Sequence, residues 1–225
     1  MSKQFLGVIV AILVIFGVIF AISSNKSSNN GTKSSSSTLT QHVEGQGQSG
    51  VTLVEYGDYQ CPFCQQYYAT VKEVAATYDQ QIHFQFRNFP ITSRHPNAFA
   101  AARAAEAAAL QNKFWEMHDV LYQNNDPNGQ AGWVAASDPT SYFDQFATQI
   151  GLNLTQFKAD FASEKVNDLV NADMAEGTKL NVQGTPTFFL DGKQVTIGNS
   201  PDGFKKVLDA EIAKKQPTTT PSTTQ

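Results

Sequence analysis

Two cysteines separated by two residues constrain this sequence more than any other feature. Cys61 and Cys64 are the only cysteines among 225 residues, and Pro62 and Phe63 lie between them. A framework of structural disulfides needs more cysteines, spread along the chain. A zinc site needs two further ligands, and none of the four histidines shows zinc-finger spacing from the pair or from another histidine. The spacing therefore favours a redox-active pair and no metal site.

Composition limits the class of protein further. The net charge is only −4, and the lysines are scattered rather than clustered, which argues against a nucleic-acid partner. Hydrophobic residues make up 41 % of the chain and include 16 phenylalanines. This is enough apolar material for one domain with appendages.

The N-terminus contains an apolar run without a charge, residues 5–22. As a helix it is roughly 27 Å long, close to the ~30 Å hydrocarbon core of a bilayer. Lys3 precedes it, so the positive-inside rule keeps residues 1–4 in the cytoplasm and exports the rest. We expect a transmembrane signal-anchor that tethers the protein to the cell membrane as a single-pass protein, with its catalytic domain extracytoplasmic.

A cleaved signal peptide is the alternative, because Ala21-Ile22-Ser23 fits a small-x-small cleavage pattern. Both alternatives place the remaining chain in an oxidising compartment. Residues 23–49 are rich in Ser, Asn and Gly and predict a flexible linker, and residues 216–225 predict a disordered tail. The folded domain is then expected at residues 50–215.

Periodicity within residues 50–215 predicts an α/β order. Strands are expected at 51–56 and 82–89, with a helix after Cys64 between them. Further helices are expected at 97–109, 113–122, 139–150, 155–162 and 164–180. Asp191-Gly192 predicts a hairpin turn between 187–190 and 194–197, and Ser200-Pro201 predicts the start of a last helix. The pattern is an α/β core with a helical insertion at about 96–181.

The cysteine pair lies where the first strand gives way to a helix. A helix N-cap at Cys61, with Pro62 at the first helical position, would expose its sulfur to unpaired N–H groups and to the positive end of the helix dipole. Both favour the thiolate, which is the attacking species in disulfide exchange. We therefore predict an exposed nucleophile at Cys61 and a more buried resolving thiol at Cys64.

Two segments resemble the DsbA-like thioredoxin family of disulfide oxidoreductases. The segment from Glu55 to Cys64 is similar to the family's active-site segment, and the segment from Gly184 to Leu190 is similar to its cis-proline loop. His95-Pro96 and the stretch from Lys113 to His118 resemble the family's helical insertion. The resemblance implies a thioredoxin fold, with the helical insertion between the second strand and the cis-Pro hairpin.

The resemblance also implies three supporting roles. Pro186 should follow a cis peptide bond and lie against the cysteines, and the Thr185 backbone should pair with a substrate strand. Glu55 should be a buried acid that relays a proton to or from Cys64. From the residues alone, an ordinary strand-start proline is the default for Pro186, and a strand-end carboxylate that faces solvent is the alternative for Glu55.

Phe63 departs from the family pattern, since strongly oxidising members carry His in this dipeptide. Phe offers neither charge nor donor, so we predict a moderately lowered Cys61 pKa and a less oxidising potential. His95 and His118 are expected to be helix-cap or packing residues.

The predicted function is thiol–disulfide exchange that introduces disulfides into exported proteins. Reduced exported proteins would be the substrates, a membrane partner would re-oxidise the pair, and no cofactor is expected. Isomerases of the related group dimerise through a folded N-terminal domain, and the Ser-rich linker in that position predicts a monomer. A reductase, an isomerase and a non-catalytic binding module remain alternatives.

Overall fold

The computed structural model describes residues 38–215, and within them a five-stranded mixed sheet carries helices on both faces. The strands are β1 (His42–Glu44), β2 (Val51–Gly57), β3 (Ile82–Asn88), β4 (Thr187–Leu190) and β5 (Lys193–Val195). The helices are α1 (Pro62–Thr77), α2 (Ala98–Ala109), α3 (Phe114–Gln123), α4 (Gly132–Ala135), α5 (Thr140–Gln149), α6 (Leu154–Phe161), α7 (Glu164–Lys179) and α8 (Pro201–Lys215).

The strand order β1-β3-β2-β4-β5 places β2 at the centre of the sheet. Strand β2 runs parallel to β3, to which α1 connects it, and antiparallel to β4. Strands β1 and β5 pair antiparallel with β3 and β4 and form the two edges. The cysteine pair follows the carboxyl end of β2. This strand is hydrogen-bonded on both sides, to β3 and to β4, and so holds the pair in a fixed position.

Alternating side chains of β2 divide between the two faces of the sheet. Val51 and Leu53 are 0 % and 1 % exposed and pack with Val71 of α1 and Leu208 of α8. Tyr56 points to the opposite face, which α7 approaches so closely that a Cβ on Gly177 would lie 3.1 Å from the Tyr56 ring. Burial of both faces explains why β2 is nearly continuous in apolar residues.

Helix α2 is the centre of the helical insertion. It contacts α3, α5, α6 and α7. Seven of its alanines are 0–1 % exposed: Ala98, Ala101, Ala102, Ala104, Ala105, Ala107 and Ala108. Their small side chains let neighbouring helices approach closely on several sides, which a helix with one apolar stripe does not allow.

The predicted fold class is confirmed, and the predicted elements from residue 50 onward match the observed bounds within a few residues. The short helix α4 was not predicted, because four residues are too few to show a helical period. Among residues 38–215, no helix is both long and apolar enough to cross a membrane. The expectations for residues 1–4, 5–22 and 216–225 fall outside the described residues.

The expectation of a flexible linker up to residue 49 is wrong for its final part. Strand β1 pairs with β3 in register, His42 opposite Phe86. The Thr40 hydroxyl donates to Asp173 at 2.7 Å, and the His42 ring lies 2.8 Å from a Glu106 carboxylate oxygen. Polar residues in this stretch therefore find buried polar partners on the helical insertion, which its composition does not reveal.

Candidate active site

Cys61 and Cys64 occupy the first turn of α1. Cys61 is the N-cap, with an extended backbone (φ −70°, ψ 123°), and Pro62 follows at the start of the helix. The proline costs no hydrogen bond there, because the first helical N–H groups have no partner within the helix. Cys64 lies one turn further along and is 1 % exposed. Both side chains are free thiols in this structure.

The two thiols differ strongly in their tendency to ionise. A hydrogen bond from the Cys64 thiol is the main cause that lowers the pKa of Cys61, with backbone N–H groups of Cys64 and Phe63 adding to it, and the pKa falls to about 6 despite burial. Burial raises the pKa of Cys64 well above its ordinary value, and the neighbouring Cys61 raises it further. The first cysteine is therefore the thiolate near neutral pH, and the second is its hydrogen-bond donor.

Cys61 is less open to solvent than the sequence suggested. Its side chain is 4 % exposed, whereas the neighbouring Phe63 is 62 % exposed. One reason is that the Thr185 loop lies over it: the Thr185 carbonyl oxygen is 3.4 Å from the Cys61 sulfur and accepts from it when Cys61 is protonated. A partner sulfur must therefore enter through a narrow opening next to an exposed aromatic ring.

The loop before β4 lies against the cysteine pair. The Thr185–Pro186 peptide bond is cis, as predicted. The Thr187 hydroxyl donates to the Gly184 carbonyl at 2.7 Å, which closes the loop on itself. Beside it lies a cavity of about 170 Å³ with Tyr67 of α1, Pro186, Phe188 and residues of β5 on its walls.

Glu55 is buried on the face of β2 that α1 covers. It is 4 % exposed, and burial is the main cause that raises its pKa to about 8, with the charge of Cys61 as a second cause. A cavity of about 40 Å³ has Glu55, His118 and Tyr122 on its walls, together with the Lys72–Asp119 ion pair. The Lys72 side chain is 54 % exposed, so the cavity extends from the buried acid toward solvent. Its volume is sufficient for two or three water molecules.

Asp58 is a residue of the site to which the sequence assigned no role. Its side chain is fully buried, and one oxygen accepts from the backbone N–H groups of Gln60 (2.8 Å) and Cys61 (3.2 Å). The other oxygen accepts from the Ile91 N–H (2.8 Å) and from the ring Nδ1 of His95 (2.7 Å). An acid three residues before the N-cap is a recognisable turn signal, but its long-range partners are not encoded locally.

The expectation for the two histidines is correct for one of them and incomplete for the other. His118 is 6 % exposed and lies among the rings of Tyr59, Phe86 and Tyr122. Burial lowers its pKa, so it packs as a neutral ring. His95 instead forms the ion pair with Asp58, and this hydrogen bond raises the pKa of His95.

Metal-binding clusters are absent from residues 38–215, where no three His, Cys, Asp or Glu side chains converge. The geometry brings together Cys61, Cys64, Thr185, Pro186 and Glu55. Phe63 stands apart from them at the surface.

Comparison with known proteins places this geometry in a family. A sequence profile described as thioredoxin matches residues 37–210. The solved structure of a thioredoxin-like oxidoreductase from Silicibacter pomeroyi is 28 % identical, with a TM-score of 0.63 over 78 % of this chain and 92 % of that one. BdbD from Bacillus subtilis, in its oxidised form, shares the fold with a TM-score of 0.67 at 23 % identity, over 77 % of this chain and 93 % of that one.

Curated relatives with higher identity are much longer proteins. The Na(+)/H(+) antiporter NhaA 1 of Mycolicibacterium gilvum is 39 % identical over 155 residues, which are 68 % of this chain and 24 % of that protein. The chain thus spans about a quarter of the length of the curated relatives it matches. The profile match covers most of the described residues, including the sheet, the helical insertion and the cysteine pair. The chain therefore belongs to the thioredoxin family, and its fold is that of a thioredoxin-like oxidoreductase.

Proposed function

We propose that this protein is a membrane-tethered, extracytoplasmic enzyme that introduces disulfides into exported proteins through Cys61 and Cys64. The observation that carries the proposal is the opposite ionisation of the two thiols. The pKa of Cys61 is lowered to about 6, and that of Cys64 is raised by burial. A low pKa makes Cys61 a good leaving group in exchange reactions.

The proposed reaction begins with a disulfide between Cys61 and Cys64. A substrate thiolate attacks the Cys61 sulfur, the Cys61–Cys64 bond breaks, and Cys64 leaves as a thiolate that takes up a proton. A second substrate thiolate then attacks the substrate sulfur of the mixed disulfide and releases Cys61 as a thiolate. The substrate loses two electrons and gains a disulfide, and the enzyme pair is reduced.

Glu55 is the proposed proton donor for Cys64. Its pKa of about 8 keeps it protonated near neutrality, so it can give a proton to the leaving thiolate, and it recovers one from solvent through the cavity that it shares with His118 and Tyr122. The reverse path removes the proton when the pair is re-oxidised.

The proposed substrate is an unfolded segment that lies across Phe63 and the cis-proline loop. The Thr185 backbone can pair with an extended chain, and the cavity between Tyr67 and Pro186 offers space for one apolar side chain of that chain. Phe63 supplies apolar surface beside the sulfur. Such contacts recognise an extended backbone rather than one sequence, which suits an enzyme that acts on many exported proteins.

The oxidising direction rests on the apolar run at residues 5–22. A single-pass anchor would hold the domain near a membrane protein that re-oxidises the pair, and the chain has no further cysteines to do so itself. The proposed enzyme acts as a monomer without a cofactor. A reductase uses the same site, and a strongly reducing potential would favour that alternative.

Trapping of substrates tests the proposal. Cells that express the full chain with Cys64→Ser should accumulate disulfide-linked adducts through Cys61, because the resolving thiol is absent. Cys61→Ser is the matched control, since it retains one cysteine of the pair but should form no adducts. A purified Cys61→Ser variant should also fail to oxidise a reduced test protein that the native enzyme refolds.

The outcome separates the alternatives. Adducts with Cys64→Ser, together with oxidative refolding by the native protein, support the oxidase. Adducts without oxidation of any test protein support the reductase. A protein that forms no adducts and equilibrates with no thiol is an inert binding module, which contradicts the proposal.

A further inference from the structure

A buried carboxyl group, that of Asp58, lies next to the backbone of Cys61, where a negative charge would oppose ionisation of the thiol. Asp58 is fully buried and accepts hydrogen bonds at both oxygens. One of them accepts from the Cys61 backbone N–H itself, at 3.2 Å. Glu55 is the other nearby acid, and its raised pKa of about 8 keeps it neutral. Asp58 accepts four hydrogen bonds and donates none, so this geometry holds it as a carboxylate beside the Cys61 backbone.

A buried negative charge beside the Cys61 backbone must be neutralised if the thiolate is to form readily. His95 is in the position to do this, because its Nδ1 donates to the second Asp58 oxygen at 2.7 Å. Its side chain is 17 % exposed, so the ring can exchange protons with solvent while it holds the carboxylate. The Asp58 carboxylate thus connects the His95 ring to the start of α1.

We propose that His95 is a positioning residue that neutralises Asp58 and thereby favours the Cys61 thiolate. The exposed Phe63 side chain, which lies between the two cysteines, cannot supply this charge. The proposal rests on the assignment of Cys61 as nucleophile, and it adds the group that tunes that nucleophile.

Three charged groups act on His95. The hydrogen bond to Asp58 is the main cause that raises the pKa of His95, the charge of Cys61 raises it further, and Arg94 next to it lowers it. A group that thiolate formation makes more basic must in turn make thiolate formation easier, since coupling between two sites is reciprocal. The histidine should therefore bind its proton more weakly when Cys61 is in a disulfide and carries no charge.

The first experiment uses the native protein. A titration of the histidine ring signals by NMR should give His95 a higher pKa in the reduced protein than in the oxidised protein. His83, which bonds to the Gly45 carbonyl at the opposite end of β3, is the internal control and should titrate alike in both forms. Equal His95 titration in the two forms would overturn the proposal, whether or not any variant folds.

The second experiment separates charge from structure with two variants. His95→Asn can keep a donor toward Asp58 but has no charge, and His95→Ala removes both. If the charge matters, both variants raise the Cys61 pKa, measured by thiolate absorbance, and shift the equilibrium with glutathione about three- to tenfold toward the oxidised protein. If His95 is only structural, His95→Asn matches the native protein, and the proposal fails. His83→Asn is the matched control and should leave both values unchanged.

These readouts are independent of the direction of the physiological reaction. They require only that Cys61 ionises and that the pair exchanges with glutathione. If the His95 pKa depends on the redox state of Cys61 but the protein fails to oxidise test proteins, only the proposed oxidase function is wrong. If the protein oxidises test proteins but the His95 pKa is independent of the redox state, only the proposed role of His95 is wrong.

Discussion

The carboxyl group of Glu55 is buried close enough to Cys61 that a negative charge on the sulfur raises its pKa. The two residues are six apart, one inside β2 and the other at the N-cap of α1. Burial is the larger cause, so the acid remains shifted in the oxidised protein, in which Cys61 carries no charge. This pair therefore links the redox state of the site to a proton held beneath it.

Glu55→Gln should stabilise the reduced protein at high pH. The folded-state pKa of Glu55 is raised from 4.5 to about 8, so its contribution to stability is full below pH 4.5 and is lost as the pH rises through 8. The free energy of unfolding of the native protein should accordingly drop below that of the variant, by on the order of a few kcal/mol across this range. Urea unfolding at several pH values measures the difference. Glu73→Gln, at an exposed position of α1, is the control. If the stability of Glu55→Gln depends on pH in the same way as that of the native protein, the argument from burial is wrong.

Phe63→His should make the Cys61–Cys64 disulfide more oxidising. A protonated imidazole between the two cysteines favours the Cys61 thiolate, whereas the native ring carries no charge. Because the position is 62 % exposed, solvent screens the effect, and we expect between about a threefold and a tenfold shift in the equilibrium with glutathione. Phe63→Leu keeps an apolar side chain and should shift the equilibrium little. An equal shift in both variants would mean that packing, not charge, is responsible.

Asp173→Asn should loosen strand β1. The Asp173 side chain is fully buried, accepts from the Thr40 backbone and hydroxyl and from the Asn88 backbone, and pairs with Arg87. An amide places donors against donors and leaves Arg87 with only its longer ion pair to Glu176, at a cost of roughly 3 kcal/mol. Hydrogen exchange should accelerate at the β1 amides before the rest of the sheet. Asp168→Asn, at an exposed position of the same helix, should change neither stability nor exchange.

Gly57→Ala should destabilise the end of β2. A Cβ at this position would lie 2.4 Å from the Phe86 ring and 3.1 Å from the Tyr122 hydroxyl, so both rings must move. Overpacking of this kind costs about 1–3 kcal/mol, measured by thermal or urea unfolding. Gly198→Ala is the control, because nothing lies within 4 Å of its Cβ position. Equal stability of the two variants would show that the rings beside Gly57 move without cost.

Local signals account for most of what the sequence predicted. The strand before Cys61, the Asp191-Gly192 turn and Pro201 at the start of α8 are each encoded within a few neighbouring residues, and the structure has them in the expected places. The cis bond before Pro186 required the family resemblance, since a proline at a strand start is equally compatible with a trans bond.

The missed features depend on partners far along the chain. Thr40 and Asp173 are 133 residues apart, and Asp58 and His95 are 37 apart. A polar stretch such as residues 38–49 looks unstructured until its partners are known, because its order comes from buried polar contacts rather than from its own apolar residues. The sequence also did not predict that the Thr185 loop covers Cys61, because these two residues are 124 positions apart.

Strand β1 also determines where the protein can be shortened for work in solution. A fragment that begins at Gly50 lacks Thr40 and His42, and it leaves the carboxylates of Asp173 and Glu106 in the interior without these partners. Such a fragment should express poorly and resist protease less than one that starts ahead of residue 38. The boundary of the folded domain is thus set by two acids that lie far along the chain from β1, not by the point at which the chain becomes apolar.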